Sequence, residues 1–326
     1  MDRREVAVAG NVGDRAGWGG GGSDGRDACG TSREGAQALG ALIFTSAGGG
    51  VGVSTLAALC ARLLATDRTR TALVDCSGGG GLDVLLGIEG EEGMRMGQVE
   101  APLGRLDPEA LDRELPTWDG VGVLSSDPWK EGAADWWNVD AAVRALAMAR
   151  DLLIVDGGRG EDVSGLPSLS AAPWVLVVEM SVLGLARASH LMDRFRLMET
   201  GGGGVGRRGF QPRRQGTGDG GSGWEEGPGG GEGSGQSEWI GPGREAIFVG
   251  MDPRLVPPSQ AVDVQEACDF LGVDICAVFR PHRTLARSAL AGLGMEGLPR
   301  SYRRGLDDLC ACIAKVMDLG RPRRHG

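Results

Sequence analysis

Seven short apolar runs punctuate the chain: "ALIFTS" from Ala41, "TALVDC" from Thr71, "VGVLSS" from Val121, "DLLIVDGG" from Asp151, "WVLVVEM" from Trp174, "AIFVGM" from Ala246 and "ICAVFR" from Ile275. Near-continuous Val/Ile/Leu runs are strands buried on both faces, since a strand with one wet face would alternate apolar with polar. Helical patterns lie between them, over about 53–66, 138–150, 182–199, 259–272 and 299–318. Strand, helix, strand in repetition predicts an α/β fold: a mainly parallel sheet with helices on both faces. All-α and β-sandwich architectures are excluded by the same alternation.

Two stretches break the pattern. Residues 1–40 are polar and glycine-rich, with "GWGGGGSDG" at their centre, and cannot bury enough apolar surface to offset the entropy of ordering. They are expected to form a disordered N-terminal arm. Between 201 and 243, 19 of 43 residues are glycine. A structureless stretch of that length inside a domain reads as a flexible insertion. The strand pattern resumes directly at "AIFVGM", so residues 41–320 are expected to be one domain carrying the insertion, followed by a basic tail over 321–326.

Charge and cysteine usage narrow the class. A net charge of −10 argues against a broad nucleic-acid footprint. Of the 34 basic residues, all but Lys130 and Lys315 are arginine. The seven cysteines form no CxxC pair and only three histidines are present, so the spacing gives no zinc site. The odd cysteine count and the lack of a leader pattern point to a reducing, cytoplasmic setting. No apolar run reaches the roughly 18 residues of a spanning helix.

The chemistry is concentrated in "SAGGGVGVST", Ser46 to Thr55, where an apolar strand runs through packed glycines into a helix. Gly48, Gly49, Gly50 and Gly52, with Val51 and Val53 between and after them, let backbone amides turn inward onto a phosphate, and the helix start adds its dipole. Ser54 offers a hydroxyl to Mg²⁺ and Thr55 one to a phosphate oxygen. Asp75 ends the "TALVD" strand. Asp156 ends "LLIVD", placed to hold Mg²⁺ through its water. The expected ligand is ATP or ADP with Mg²⁺. A dinucleotide-binding Rossmann turn is the competitor, because Asp75 lies about the right distance beyond the loop. Its G-x-G-x-x-G spacing fails: with Gly50 and Gly52 as the first two glycines, the third position is Thr55.

These segments resemble the ParA/MinD family of deviant-Walker P-loop ATPases. The family loop reads KGGVGK[ST][ST], and "GGGVGVST" from Gly48 to Thr55 superposes on it without a gap. "ALVDCSGGGGLDVLLGIEG" is similar to the segment that follows in the family. Within the family the chain looks most like the actinobacterial CpaE-like, or septum-site-determining (Ssd), branch, related to TadZ of pilus machinery; "GRLDPEAL", "GVGVLSSD" and "FRPHRTLARSAL" carry that likeness. The resemblance spans about residues 41–318 apart from the insertion. It implies a spatial regulator or scaffold for septum placement or for pilus and secretion assembly, a homodimer, and recruitment by partner proteins to a pole, septum or inner membrane face.

The departures fall on the catalytic groups. The family's signature lysine falls on Gly48, its loop lysine on Val53, and the second Asp of its D-x-D, implicated in positioning the attacking water, on Ser77. Phosphoryl transfer depends on placed positive charge, so the sequence predicts a nucleotide binder with little or no hydrolysis and no catalytic residue. An arginine such as Arg159 would be a partial substitute. A slow MinD-like ATPase cycling between monomer and dimer is the alternative. Trp136 and Trp137 are expected to cap the core, with a partner-binding anchor as the other reading. The last helix carries Leu306, Leu309, Ile313 and Val316 on one face and Asp307 and Asp308 on the other. That pattern favours a core-facing helix over a membrane anchor.

Overall fold

The computed structural model describes residues 40–77, 81–126, 129, 134–160, 163–200, 245–254, 261–295 and 297–319. The expected arm (but for Gly40), the insertion at 201–243 and the tail at 321–326 lie outside these residues. The strands are β1 (Ala41–Ser46), β2 (Thr71–Asp75), β3 (Thr117–Trp118), β4 (Val121–Leu124), β5 (Leu152–Asp156), β6 (Trp174–Glu179), β7 (Ala246–Met251) and β8 (Ile275–Phe279). All seven apolar runs are therefore strands. The helices are α1 (Val53–Leu64), α2 (Leu82–Leu86), α3 (Pro108–Arg113), α4 (Trp136–Ala149), α5 (Val182–Thr200), α6 (Val264–Leu271), α7 (Arg283–Leu290) and α8 (Arg300–Val316).

The strands form one sheet in the order β3-β4-β2-β5-β1-β6-β7-β8. Every neighbouring pair is parallel except β3 with β4. That exception is a tight hairpin: Asp119 and Gly120 both have positive φ, 46° and 84°, as a two-residue turn matched to the twist of its strands requires. Along each strand, side chains alternate between two cores. Leu42, Phe44, Leu73, Ile154, Val175 and Val177 face one side with α1 and α8, while Ile43, Val74, Val155, Leu176 and Val178 face the other with α4 and α5. Helices on both faces leave no wet side, which explains why the strands read as unbroken apolar runs.

Three helices have no counterpart in the sequence reading, and each has 5–8 residues, too few turns for a periodic pattern to emerge. The helix expected from 259 begins at Val264, where Asp263 caps it by accepting from Gln265 N at 2.8 Å. In α8, Leu306, Leu309 and Ile313 are fully buried, so that helix faces the core. The expectation for the tryptophan pair is corrected. Trp136 and Trp137 are 59 % and 47 % exposed and pack edge-to-face on each other at 6.0 Å. They occupy the first two positions of α4, ahead of the buried face that begins at Asp140. Among the described residues, no helix is long and apolar enough to cross a membrane.

Candidate functional site

From the end of β1 at Ser46 the chain turns through 47–52 into α1. Gly50 and Gly52 take left-handed φ values of 75° and 94°, which strain any residue with a β-carbon. Gly52 is also the N-cap of α1 and supplies no side-chain capping bond. The first amides of a helix have no intrahelical acceptor, so here they are left for an anion. The loop is tied to the turn after β5: Ser46 N donates to Gly158 O at 3.0 Å, Gly157 N to Phe44 O at 2.9 Å, and the Thr45 hydroxyl to Gly158 O at 3.2 Å. The Ser46 hydroxyl donates to Gly48 O at 2.6 Å.

Val51 and Val53 are each 7 % exposed and pack in the core under α1. Only their backbones are available to a ligand. At position 53 an apolar side chain is turned inward where the resemblance places a lysine. Ser54 and Thr55 follow, both half-buried.

Strand order brings the carboxylates to the loop. β5 lies between β1 and β2, with Phe44 and Asp75 both in register with Asp156. Asp156 is 1 % exposed and Asp75 is 2 % exposed. The Ser54 hydroxyl lies beside the Asp156 carboxyl and favours its charged form, and Gly158 N donates to Asp156 Oδ1 at 3.1 Å. Asp75 Oδ1 accepts from Ser77 N at 3.0 Å and from the Ser77 hydroxyl at 2.6 Å. Asp75 Oδ2 is buried and has no hydrogen-bond partner among the described residues.

These environments show in the acidities. Burial pushes the Asp156 carboxyl up to about 6, against the pull of the Ser54 hydroxyl and with a push from the Asp75 charge. Burial also raises Asp75, and the two bonds from Ser77 draw it partly back. Two buried carboxylates whose charged forms are disfavoured, one with an oxygen left over, form a site short of positive charge. A hard divalent cation fits that donor set: Ser54, Asp156 and the spare oxygen of Asp75 are all oxygen ligands, at the mouth of a loop built for phosphate.

Positive charge does stand beside the loop. A β-carbon added to Gly49 would lie 2.7 Å from Arg159 Nη2, and one added to Gly48 would lie 3.6 Å from Arg187 Nη1. Arg159 follows β5, as its place near Asp156 in the sequence allows. Arg187 comes from α5, and sequence reasoning missed it: nothing local marks one arginine in a helix more than 130 residues from the loop. It reaches the loop because β6 pairs with β1 and α5 starts hard against β6. A β-carbon on Gly184 would lie 2.2 Å from Glu179 O. Gly184→Ala is therefore expected to cost about 1–3 kcal/mol through overpacking, read as a fall in melting temperature; an unchanged value would show α5 free to slide.

The strand order also decides against the dinucleotide reading. In that fold the acidic strand end lies next to the first strand, in the order 3-2-1-4-5-6. Here β5 separates β2 from β1, so Asp75 stands one strand away from the loop.

No family model matches the chain, and no curated protein matches it significantly. Solved structures do. The chain is similar to a ParA family ATPase from Chlorobium tepidum TLS at 18 % identity, over 85 % of this chain and 96 % of that one, with a TM-score of 0.55. It is similar to a chain of the MinC:MinD cell division protein complex from Aquifex aeolicus at 17 % identity, over 87 % and 98 %, with a TM-score of 0.56. A plasmid partition protein from Borrelia burgdorferi B31, bound to AMPPNP, matches at 11 % identity over 84 % and 98 %, with a TM-score of 0.51. At these identities the likeness is one of fold. It extends over nearly the whole length of each of those chains, and the described chain has the α/β fold of the ParA/MinD P-loop NTPases.

Proposed function

We propose that the chain binds ATP or ADP with Mg²⁺ at the loop of 48–55 and works as a spatial regulator, a scaffold with little or no hydrolysis. The observation that carries the nucleotide reading is the cluster at the strand ends: Ser54 beside the buried Asp156, next to a buried Asp75 oxygen with no partner among the described residues. In this reading the Ser54 hydroxyl would ligate Mg²⁺, and the Asp156 and Asp75 carboxylates would hold it at the strand ends. When bound, Mg²⁺ would neutralise the charge of the phosphates. The amides from Gly48 to Thr55 cradle the phosphates. Ser77 is committed to Asp75 and, as a hydroxyl, cannot orient an attacking water as a second carboxylate would. Val53 brings no charge.

The finer role follows the resemblance to the CpaE-like and Ssd branch: positioning of a septum, or of a pilus or secretion machine, through protein partners and as a homodimer. A MinD-fold relative is seen in complex with MinC, and a partition relative with AMPPNP. Both support a nucleotide-bearing protein that acts through partners.

Calorimetry with Mg-ATP, Mg-ADP and NAD, together with a phosphate-release assay, tests the reading. Mg-ATP is expected to bind at roughly tens of micromolar to millimolar, about −6 to −4 kcal/mol, with no turnover above a mock preparation and no NAD binding. Turnover above the mock preparation would replace the scaffold with a slow, cycling ATPase.

A further inference from the structure

Both lysines of the resembled loop are absent, yet the Arg159 guanidinium stands where a side chain on Gly49 would begin, and the Arg187 guanidinium lies at contact distance from one on Gly48. Beyond Ala47 the same groups line a cavity of about 370 Å³, with Arg159, Arg187, His190 and Arg194 as its polar wall. Arg159 and Arg187 are exposed and form no ion pair with a described residue. Glu179 lines a smaller adjoining pocket and is engaged by the Ser181 hydroxyl at 2.6 Å. The cavity is therefore walled by cations, adjoins the loop through Ala47, and is roomy enough for phosphate groups.

We infer that Arg159 and Arg187 form a clamp for the terminal phosphates of a nucleoside triphosphate, delivering from β5 and α5 the charge that the loop itself lacks. The inference rests on the nucleotide reading above and names the groups that would hold the far end of that ligand. Guanidinium suits the task because its planar fork pairs with two phosphate oxygens at once and never loses its charge. Gly48 and Gly49 are then required for a second reason. A side chain on Gly49 would occupy the space of Arg159, and one on Gly48 would begin in contact with Arg187. A clamp at the far end of the phosphate chain also sets a preference: a triphosphate reaches it and a diphosphate does not.

The experiment is calorimetry on the full chain with Mg-ATP, Mg-ADP and inorganic tripolyphosphate. It compares the native protein with Arg159→Ala, Arg187→Ala, Arg187→Lys and the double alanine variant. Each alanine is expected to weaken ATP and tripolyphosphate by roughly tenfold to a hundredfold, the value of one hydrogen bond to a charged group, and ADP by less than about threefold. Arg187→Lys should recover part of the loss. Melting temperatures should stay within about 2 °C of native, since both side chains are exposed. Equal ATP binding by the native protein and the double variant would overturn the clamp and leave the nucleotide reading standing. Arginine-dependent binding of tripolyphosphate without any ATP binding would leave a site for inorganic polyphosphate and sink the nucleotide reading, and with it the clamp for a nucleoside triphosphate. Binding of neither polyanion would overturn both. Arginine-dependent binding of duplex DNA with no polyphosphate binding would overturn the clamp in favour of a nucleic-acid groove.

Discussion

Replacing Arg95 with methionine is expected to destabilise the protein by about 3–5 kcal/mol, a large share of the 5–15 kcal/mol that holds a typical domain together. Arg95 Nε donates to Asp83 Oδ2 at 2.7 Å, with the two side chains 7 % and 3 % exposed. Its remaining donors serve the turn that follows α2: Nη2 to Ile88 O at 2.9 Å and Glu91 O at 3.1 Å, and Nη1 to Gly93 O at 3.2 Å. The other oxygen of Asp83 accepts from the Ser125 hydroxyl. Methionine would fill similar volume but leave a buried carboxylate and three carbonyls without their donor. Arg95→Lys should rescue little, because one ammonium cannot reach four acceptors arranged for a planar fork. A double variant, Arg95→Met with Asp83→Leu, should recover much of the loss by removing the stranded charge. Denaturant unfolding of the three variants would check this; a loss below about 1 kcal/mol for Arg95→Met would mean the turn is held by other contacts.

The second large effect has the opposite sign. Asp156→Asn is expected to stabilise the ligand-free protein at neutral pH while abolishing its stabilisation by Mg-nucleotide. The carboxyl titrates at about 6 in the fold against 3.8 ordinarily, so the folded state binds the proton more tightly than the unfolded chain does. Stability from this group is present below about pH 4 and is lost as pH rises through 6, leaving a penalty on the order of 2–3 kcal/mol above it. Asparagine keeps an acceptor for Gly158 N and a partner for Ser54 but never ionises. The gap between variant and native should therefore open between about pH 4 and pH 6 and stay constant above. Melting curves from pH 4 to pH 8, with and without Mg-ATP, would measure it. A variant less stable than native at pH 7.5, or a gap independent of pH, would show that Asp156 is an ordinary strand end. The expected combination, more stable and unable to bind, is what a site built to hold a cation predicts.

The strands were legible in the sequence because burial on both faces leaves an unbroken apolar signature that needs no partner to be recognised. The loop was legible for a related reason. Glycines at Gly50 and Gly52, a strand before them and a helix after them are local features, and positive φ at those two positions is a local demand. Asp75 and Asp156 could be picked out as strand ends. Their meeting could not, since it depends on β5 slotting between β1 and β2, a pairing across more than 80 residues that neither segment encodes alone. Tertiary structure also turned Val53 into the core, exposed Trp136 and Trp137, joined Arg95 to Asp83 and laid Arg187 on the loop. Each of these depends on which side chain a neighbouring element covers. Backbone preference and apolar pattern act over a few residues and are written along the chain; burial, charge pairing and the acidity of a carboxyl belong to surroundings that exist only once the sheet has assembled.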